Sequence, residues 1–307
     1  MDFLRLLAAG RCGALDTFFS SLTYFGSEIA FMAAALLIFW CIDKRQGYYV
    51  FLVGALGTVC NQFLKLAFRI PRPWVLDPDF QIVEAARADA TGYSFPSGHT
   101  QNVVGTLGGI ARWQKQKWLR IACIATLLLT SFSRMYLGVH TPLDVGVSFA
   151  VAVVLVFALY PIVRYAVQKP KRMYVLLGVM TAISLAFVLY ANLAAFPADI
   201  DAENLAHGQK NSYSLLGALL GFCLAYGIER KYIRFETKAV WWAQILKVVL
   251  GLAVVLAVKE GLKLVFSALG FTWLGTNAIR YFAVVLMAAT VWPLTFRFFA
   301  RLGKKKQ

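Results

Sequence analysis

Charged side chains are scarce in this chain. Asp, Glu, Lys and Arg together make up 15% of its 307 residues, whereas apolar residues make up 60%. A water-soluble protein needs more charge to cover its surface, and disordered or collagen-like chains are far less apolar. Cysteine is also rare, and the five cysteines show neither paired nor zinc-like spacing. The composition therefore excludes soluble, disordered and disulfide-stapled proteins and favours a protein embedded in a membrane.

The apolar residues are gathered in long runs. Residues 46–64 and 173–198 contain no charged side chain and are long enough to cross about 30 Å of hydrocarbon as helices. Strands of a membrane barrel would instead alternate in polarity. The sequence predicts an all-α polytopic membrane protein with nine spans, near residues 24–42, 47–69, 98–113, 119–138, 143–164, 173–195, 212–228, 240–267 and 277–299.

Basic residues outnumber acidic residues by 31 to 15, which gives a net charge of +16. Such an excess can mark a nucleic-acid-binding protein, but here Lys and Arg fall in every second loop, at 44–45, 112–120, 164–172, 230–238 and 297–306. Acidic residues gather in the intervening loops 70–95 and 197–210. Because cytoplasmic loops are enriched in Lys and Arg, we expect a cytoplasmic (plasma) membrane protein with its C-terminus inside and no nucleic-acid partner.

Histidine occurs three times, and two of the three lie in a polar cluster at the ends of predicted spans. Ionisable groups beside hydrocarbon cost free energy, so they indicate a function. In the predicted topology the segments that carry them meet on the outer side. Three cations, a Ser-Gly helix start and two histidines predict an anion site with an acid, base or nucleophile at hand. The members are Lys65, Arg72, Ser97, Gly98, His99, Arg134, His140 and Asp144.

Each residue of this cluster also has a purely structural explanation. Lys65 and Arg72 could extend to lipid headgroups, and Ser97 could simply cap a helix. Asp144 could cap the following span. The same carboxylate could instead orient His140 and leave its other ring nitrogen free to attack an electrophile. These residue types alone do not separate phosphate from sulfate or carboxylate.

Taken in order, the segments resemble the three-part signature of the type 2 phosphatidic acid phosphatase family of membrane lipid phosphatases. The resemblance rests on Lys65 with Arg72-Pro73, on Pro96-Ser97-Gly98-His99, and on Ser133-Arg134 with His140 and Asp144, and it covers roughly residues 20–170. It implies a six-helix core, hydrolysis without a metal or other cofactor, and a phosphohistidine intermediate. We accordingly expect an interfacial or N-terminal helix at 1–22, the lipid phosphatase core at 23–195, and a C-terminal extension at 196–307 with about three further transmembrane helices.

The resemblance also implies a role for each site residue. His140 would be the nucleophile, Asp144 its orienting partner, and His99 the acid that protonates the leaving group and later activates water. The phosphate oxygens would be held by Lys65, Arg72, Ser97, Gly98 and Arg134.

The expected activity is hydrolysis of a phosphomonoester or diphosphate on a membrane lipid at the outer face. Polyprenyl diphosphate, phosphatidate, phosphatidylglycerol phosphate and phosphorylated sphingoid lipids all offer a phosphate at headgroup depth, and undecaprenyl diphosphate is slightly favoured. Two alternatives stay open at this point. The same site could transfer phosphate to another lipid, or the protein could be a lipid-binding transporter without hydrolysis, although the spans that form the core have few midplane polar residues.

Overall fold

The computed structural model describes residues 1–302, and within that range the chain forms helices and loops without a β-strand. The predicted basic tail from Lys304 lies outside the described residues. The α-helices in this range are α1 Asp2–Ala9, α2 Gly13–Leu22, α3 Glu28–Leu37, α4 Lys44–Phe68, α5 Pro73–Leu76, α6 Gly98–Val103, α7 Gly109–Trp113, α8 Lys117–Tyr136, α9 Pro142–Ala166, α10 Pro170–Leu193, α11 Ala202–Ile228, α12 Trp241–Ala268, α13 Thr276–Leu286 and α14 Phe296–Phe299.

Short π-helical and 3-10 segments continue several of these helices. The π-helical turns are Ile38–Ile42 after α3, Val104–Gly108 between α6 and α7, Glu229–Ile233 after α11 and Met287–Val291 after α13. The 3-10 segments include Thr23–Gly26 after α2 and Trp292–Thr295 before α14.

Seven helical segments of the described chain are long and apolar enough to cross a membrane. They are Lys44–Leu76, Lys117–Tyr136, Pro142–Ala166, Pro170–Leu193, Ala202–Ile233, Trp241–Ala268 and Thr276–Phe299. An eighth candidate is a pair of helical segments, Gly13–Gly26 and Glu28–Ile42, which are bent by 54° at their junction. The prediction of an all-α polytopic membrane protein is confirmed.

Two of the nine predicted spans differ from the structure. The predicted span 98–113 is helical throughout, but it consists of three consecutive segments of 6, 5 and 5 residues and at about 1.5 Å per residue it is only about 24 Å long, so it would cross the membrane only as a short helix. The predicted span 24–42 begins with a 3-10 turn and forms only the second half of the bent pair. A hydrophobic run shows that a segment is buried in apolar surroundings, but it does not show where a helix begins or bends.

The chain divides into two compact units. The first comprises residues 1–32, 49–162 and 190–208, and the second comprises residues 33–48, 163–189 and 209–307. All the predicted site residues belong to the first unit. The predicted domain limits after residues 22 and 195 stay predictions.

In the first unit the N-terminal helices pack against the long loop between α4 and α6. Leu4 is 1% exposed and belongs to an apolar cluster with Phe80 and Leu137. Arg11 donates from Nε to the Tyr136 carbonyl at 2.9 Å and from Nη1 to the Gln81 carbonyl at 2.7 Å. These contacts fix the chain at the end of α8, directly before His140.

Gly138 makes the turn between α8 and α9 possible. Its φ of +80° lies in the region that favours glycine, and a Cβ there would lie 2.7 Å from Nη2 of Arg11 and 2.9 Å from the Phe80 ring. The turn lets the Val139 and His140 amides hydrogen-bond back to the Arg134 carbonyl, at 3.1 and 3.3 Å. Arg134 and His140 are therefore held on adjacent sides of one tight turn.

In the second unit, α11 and α13 pack backbone against backbone. A Cβ at Gly217 would lie 2.0 Å from the Ala278 carbonyl oxygen, and one at Gly221 would lie 2.8 Å from the Phe282 carbonyl oxygen. Two glycines four residues apart thus allow close contact of the helices, as is common between membrane helices.

Candidate active site

The structure brings the predicted site residues to one place. Lys65 lies in the last turn of α4, Arg134 in the last turn of α8, and Asp144 in the first turn of α9. Direct contacts join the loop and helix segments: Arg72 contacts His140, and the Ser97 amide donates to the Asp144 carbonyl at 3.1 Å. The remaining residues, Gly98 and His99, begin α6 beside Ser97. His99 is close enough to His140, Arg134, Arg72 and Lys65 to interact electrostatically with all four.

His140 is buried and contacts groups at both ring nitrogens. Its Nδ1 lies 3.4 Å from Oδ2 of Asp144, and its Nε2 lies 2.9 Å from Nη1 of Arg72. A guanidinium can only donate hydrogen bonds, so Nε2 must accept and the ring proton must sit on Nδ1, facing the carboxylate. This arrangement places a lone pair on Nε2, which is the requirement for a nucleophilic imidazole.

The protonation of His140 agrees with that arrangement. Burial, followed by the nearby charges of Arg72, Arg134 and Lys65, lowers the pKa of His140 well below its ordinary value of 6.5. The imidazole is therefore neutral at pH 7, and its Nε2 lone pair accepts from Arg72 as long as no substrate is bound.

Asp144 both caps its helix and contacts the histidine. Its Oδ2 accepts a hydrogen bond from the Thr141 amide at 2.8 Å, and the Asp144 amide donates to the Thr141 hydroxyl at 3.2 Å. The same Oδ2 accepts from Ser94 Oγ at 2.6 Å and faces His140. The two explanations of Asp144 given by the sequence are therefore compatible, because one oxygen serves both contacts.

Ser94 is a site residue that the sequence analysis missed. Its hydroxyl donates to Asp144 and lies 3.5 Å from Nδ1 of His140, and its side chain is fully buried. A single serine in a loop gives no signal of its own. The one feature that could have suggested a role for Ser94 is its place three residues before Ser97, next to a predicted site segment.

Arg72 holds the loop that surrounds the histidine. Its Nε donates to the Gly92 carbonyl at 3.0 Å, its Nη2 to the Thr91 carbonyl at 2.7 Å, and its Nη1 to the Val139 carbonyl at 3.0 Å as well as to His140. Most of its donors are thus bonded to protein. The sequence predicted a phosphate-binding role for Arg72 but not this structural one.

Lys65 is buried and bonded to the same loop. Its Nζ donates to the Tyr93 carbonyl and lies 3.5 Å from the Ser94 carbonyl. Burial of an ammonium group costs free energy unless opposite charge or hydrogen-bond acceptors surround it. The carbonyls of Tyr93 and Ser94 supply such acceptors, and these contacts hold the loop at the end of α4. The contact is to protein and not to the headgroup region, which argues against the view of Lys65 as a headgroup-seeking cation.

Of the three cations in the site, Arg134 has the most hydrogen-bond donors without a partner among the described residues. It is 0% exposed, and its Nη1 donates to the Thr23 hydroxyl at 2.7 Å. Its Nε and Nη2 are buried and have no hydrogen-bond partner among the described residues. Because unpaired buried donors of a guanidinium are costly, an anion that accepts from them would be bound strongly.

The start of α6 presents a polar helix end to this cluster. Ser97 is the N-cap, and its Oγ accepts from the Thr100 amide at 3.4 Å, as the structural explanation of Ser97 predicted. Asn61 is a second residue that the sequence analysis missed. It donates to the Pro96 carbonyl at 3.3 Å, and its Oδ1 is buried without a hydrogen-bond partner among residues 1–302.

The 3-10 segment Thr23–Gly26 is hydrogen-bonded to both α6 and α8. Thr23 accepts from Arg134, and the Gly26 carbonyl accepts from Asn102 at 3.2 Å. A Cβ at Gly26 would lie 2.7 Å from the carbonyl oxygen of His99, so only glycine allows this approach. The segment that the sequence treated as the start of a span is therefore part of the frame of the site.

The described chain has no evident metal-binding cluster. Within residues 1–302, no three His, Cys, Asp or Glu side chains lie together in an arrangement that could hold a metal ion. The positive charge in the site comes from Lys65, Arg72 and Arg134.

Two family models match the chain. Residues 46–168 match the PAP2 superfamily, and residues 213–305 match the transmembrane extension of PAP2 superfamily phosphatases. The first match includes every predicted site residue, and the second covers most of the predicted C-terminal extension.

Several curated proteins are similar to about half of the chain. The undecaprenyl-diphosphatase BcrC of Bacillus subtilis is 32% identical over 147 residues, which cover 46% of this chain and 72% of the relative. An undecaprenyl-diphosphatase of Sulfolobus acidocaldarius is 27% identical over 146 residues, covering 47% and 69%. A probable sphingosine-1-phosphate phosphatase of Dictyostelium discoideum is 29% identical over 167 residues, covering 50% and 40%.

No solved structure matches the chain significantly. The family models and relatives agree with the resemblance seen in the sequence, which is confirmed. The chain belongs to the PAP2 superfamily and is a phosphatase.

Proposed function

We propose that this phosphatase hydrolyses a phosphomonoester or diphosphate on a membrane lipid, through a phosphohistidine intermediate on His140. The observation that carries the proposal is the orientation of His140, with Nδ1 facing Asp144 and a lone pair on Nε2. A binding protein would need the cations but would have no use for an oriented, neutral imidazole. A transporter without hydrolysis is therefore disfavoured.

In the first step, Nε2 of His140 attacks phosphorus and the bond from phosphorus to the leaving oxygen breaks. The N–H of Arg72 that now contacts Nε2 would move to a phosphate oxygen, which frees the lone pair. The unpaired donors of Arg134, together with Lys65 and the Ser97-Gly98 helix start, would hold the other oxygens and stabilise the charge of the transition state. These cations supply the role that a metal ion plays in other phosphatases.

His99 would manage the protons in both steps. With a negatively charged phosphate bound among the cations, His99 would take up a proton, give it to the departing oxygen and then take one from the water that attacks the phosphohistidine. That water releases inorganic phosphate and restores the neutral imidazole. Asp144 would stabilise the positive charge that His140 carries while it is phosphorylated.

The proposed substrate is a lipid because the site lies at the ends of membrane helices. Lys65 and Arg134 are in the last turns of α4 and α8, and Asp144 is in the first turn of α9, so the phosphate of a lipid whose tail lies in the bilayer could reach all three. Two of the relatives described above are undecaprenyl-diphosphatases. Undecaprenyl diphosphate is therefore our first candidate.

Phosphate release by the purified protein in detergent, with a chelator present, tests this function. The panel would contain undecaprenyl diphosphate, phosphatidate, phosphatidylglycerol phosphate and sphingosine 1-phosphate. We expect release from at least one lipid, undiminished by the chelator. Loss of activity that an added divalent ion restores would contradict the cation-only site, and label transfer to a lipid hydroxyl without phosphate release would indicate a phosphotransferase.

We also propose that the site faces the outside of the cytoplasmic membrane and that the C-terminus lies inside. The proposal rests on the basic loops, which cytoplasmic sides favour. Ala88, Ala206 and Gln116 are all exposed. In a chain without native cysteines, a cysteine at 88 or 206 should react with an impermeant thiol reagent in intact cells, and a cysteine at 116 only after permeabilisation. The reverse pattern would place the site on the cytoplasmic side.

A further inference from the structure

A polar cavity lies in the second unit, and none of its lining residues belongs to the proposed active site. Its volume is about 610 Å³, within the range of small-molecule sites. It is formed where α4 begins and where α11 continues into the π-helical turn and the following loop. The charged residues that line it include Lys44, Arg45, Glu229, Arg230, Arg234 and Lys238.

The inner part of this cavity is electrically neutral. Glu229 is buried, and its Oε1 forms an ion pair with Nζ of Lys44 at 2.5 Å. The Tyr48 hydroxyl donates to the other oxygen of Glu229 at 3.2 Å, and Lys44 also lies over the Phe235 ring at 3.8 Å. This network accounts for the charge of Lys44 and gives the cavity a rigid base.

The remaining charges of the lining do not balance. Four further cations of the lining form no ion pair within residues 1–302, namely Arg45, Arg230, Arg234 and Lys238. Apart from Glu229, the lining contains two carboxylates, Asp43 and Glu236. Four cations thus face two carboxylates. A cavity with this surplus and with three guanidinium groups favours an anion, and planar guanidinium groups suit the oxygens of phosphate.

The helix end at Arg234 positions two of the arginines that line this cavity. Arg234 has a φ of +47°, in the left-handed region that favours glycine. Its amide closes the π-helical turn on the Glu229 carbonyl at 2.8 Å, and its Nε donates to the Arg230 carbonyl at 3.2 Å. Arg234 thus ends the helix in the left-handed conformation that is common at helix C-termini, and the hydrogen bond from its Nε holds its side chain beside Arg230 at the cavity.

Aromatic residues place the cavity near the depth of lipid headgroups. Tyr232 lies in the π-helical turn and is 67% exposed, and Trp241 begins α12 and is 75% exposed. Exposed Tyr and Trp at the ends of membrane helices are typical of the membrane interface. The adjoining basic segments, 44–45, 164–172 and 230–238, lie on the face that the positive-inside bias assigns to the cytoplasm.

We propose that this cavity binds the phosphate headgroup of an anionic phospholipid. A free phosphate ion would fill only a small part of the volume, whereas a headgroup with its glycerol would fill much more of it. The site would recognise a lipid of the leaflet next to the basic loops and would be separate from the catalytic one.

Native mass spectrometry of the protein released from nanodiscs tests the proposal. The nanodiscs would contain phosphatidylcholine with phosphatidylglycerol, a diester that a phosphomonoester or diphosphate hydrolase does not cleave. We expect the wild-type protein to retain phosphatidylglycerol. In the double variant Arg230→Gln with Arg234→Gln, each arginine removed should lower the occupancy of this lipid by about fivefold.

The matched control removes the same charge from exposed positions of the same face, Lys169→Gln with Lys171→Gln. This variant should keep the bound lipid, and both double variants should keep the wild-type unfolding temperature in detergent. An equal loss of lipid in the control would show that only the general charge of the face matters and would overturn the proposal. Displacement of the lipid by millimolar inorganic phosphate would assign the site to a soluble anion and would also overturn it.

Discussion

The substitution Asp144→Asn separates the charge of this side chain from its hydrogen bonds. Oδ2 of Asp144 accepts from the Thr141 amide and the Ser94 hydroxyl and faces Nδ1 of His140 at 3.4 Å. The amide oxygen of asparagine can keep both accepted bonds, so the helix cap and the position of His140 should survive. What is lost is the negative charge beside an imidazole that becomes positive when it is phosphorylated.

The size of the effect follows from this distance. Two unit charges 3.4 Å apart interact by roughly 5 kcal/mol at an effective dielectric constant of about 20. The Asp144 carboxylate also interacts with Lys65 and Arg72, so only part of this energy acts on His140. We therefore expect Asp144→Asn to raise the free energy of activation by about 3 kcal/mol. This corresponds to a decrease in kcat of about a hundredfold.

Binding should change in the opposite direction. Removal of one negative charge from a site with Lys65, Arg72 and Arg134 makes the site more positive, so KM should not rise and inhibition by inorganic phosphate should become stronger. Steady-state kinetics with a lipid phosphate measures both quantities. Asp201→Asn is the matched control, since Asp201 accepts from the Asn204 amide at the start of α11 and should not affect either. A kcat within about threefold of wild type, or a large rise in KM with unchanged kcat, would refute the proposed role of Asp144.

Three further predictions follow from the site and the turn that carries it. His99→Ala should slow the transfer of phosphate to His140 far more from a lipid phosphate than from an aryl phosphate with a good leaving group, whose oxygen needs little protonation; equal losses in the rate of this first step, measured before the intermediate breaks down, would argue against an acid. Gly138→Ala should lower the free energy of unfolding by about 1–2 kcal/mol, because φ is +80° and the new Cβ would meet Arg11 and Phe80; an unchanged unfolding temperature would be contrary to this. The lowered pKa of His140 means that the unfolded chain binds a proton near pH 6.5 that the folded protein does not, so stability should fall as the pH drops below about 6.5. The fall should be smaller in His140→Asn, as measured by thermal unfolding, and an identical fall in both proteins would show that His140 is not responsible.

The sequence predicted the parts of the site that have a distinctive order along the chain. Lys65, Arg72, His99, Arg134, His140 and Asp144 are ionisable residues at the ends of apolar runs, and their order is that of a known family. Their convergence could be foreseen because alternate span ends lie on one side of a membrane.

The rest depends on contacts between segments that are distant along the chain. Ser94 and Thr23 are ordinary hydroxyl residues, and only the fold brings them to Asp144 and Arg134. The structural use of Arg72 was hidden for the same reason, because its partners are main-chain carbonyls, which every residue has. Helix breaks were also missed, since hydropathy reports an apolar environment but not the bend between Gly13–Gly26 and Glu28–Ile42.

Detection of the phosphoenzyme tests the central claim most directly. Rapid quenching of a single turnover with a lipid labelled in its terminal phosphate should trap a label on the protein that is stable to alkali and labile to acid, and peptide mapping should place it on His140. The label should be absent from His140→Ala and should accumulate in His99→Ala when an aryl phosphate is the substrate, because breakdown of the intermediate then lacks its base. Rapid phosphate release by wild-type protein without any labelled intermediate, or full activity of His140→Ala, would contradict the account.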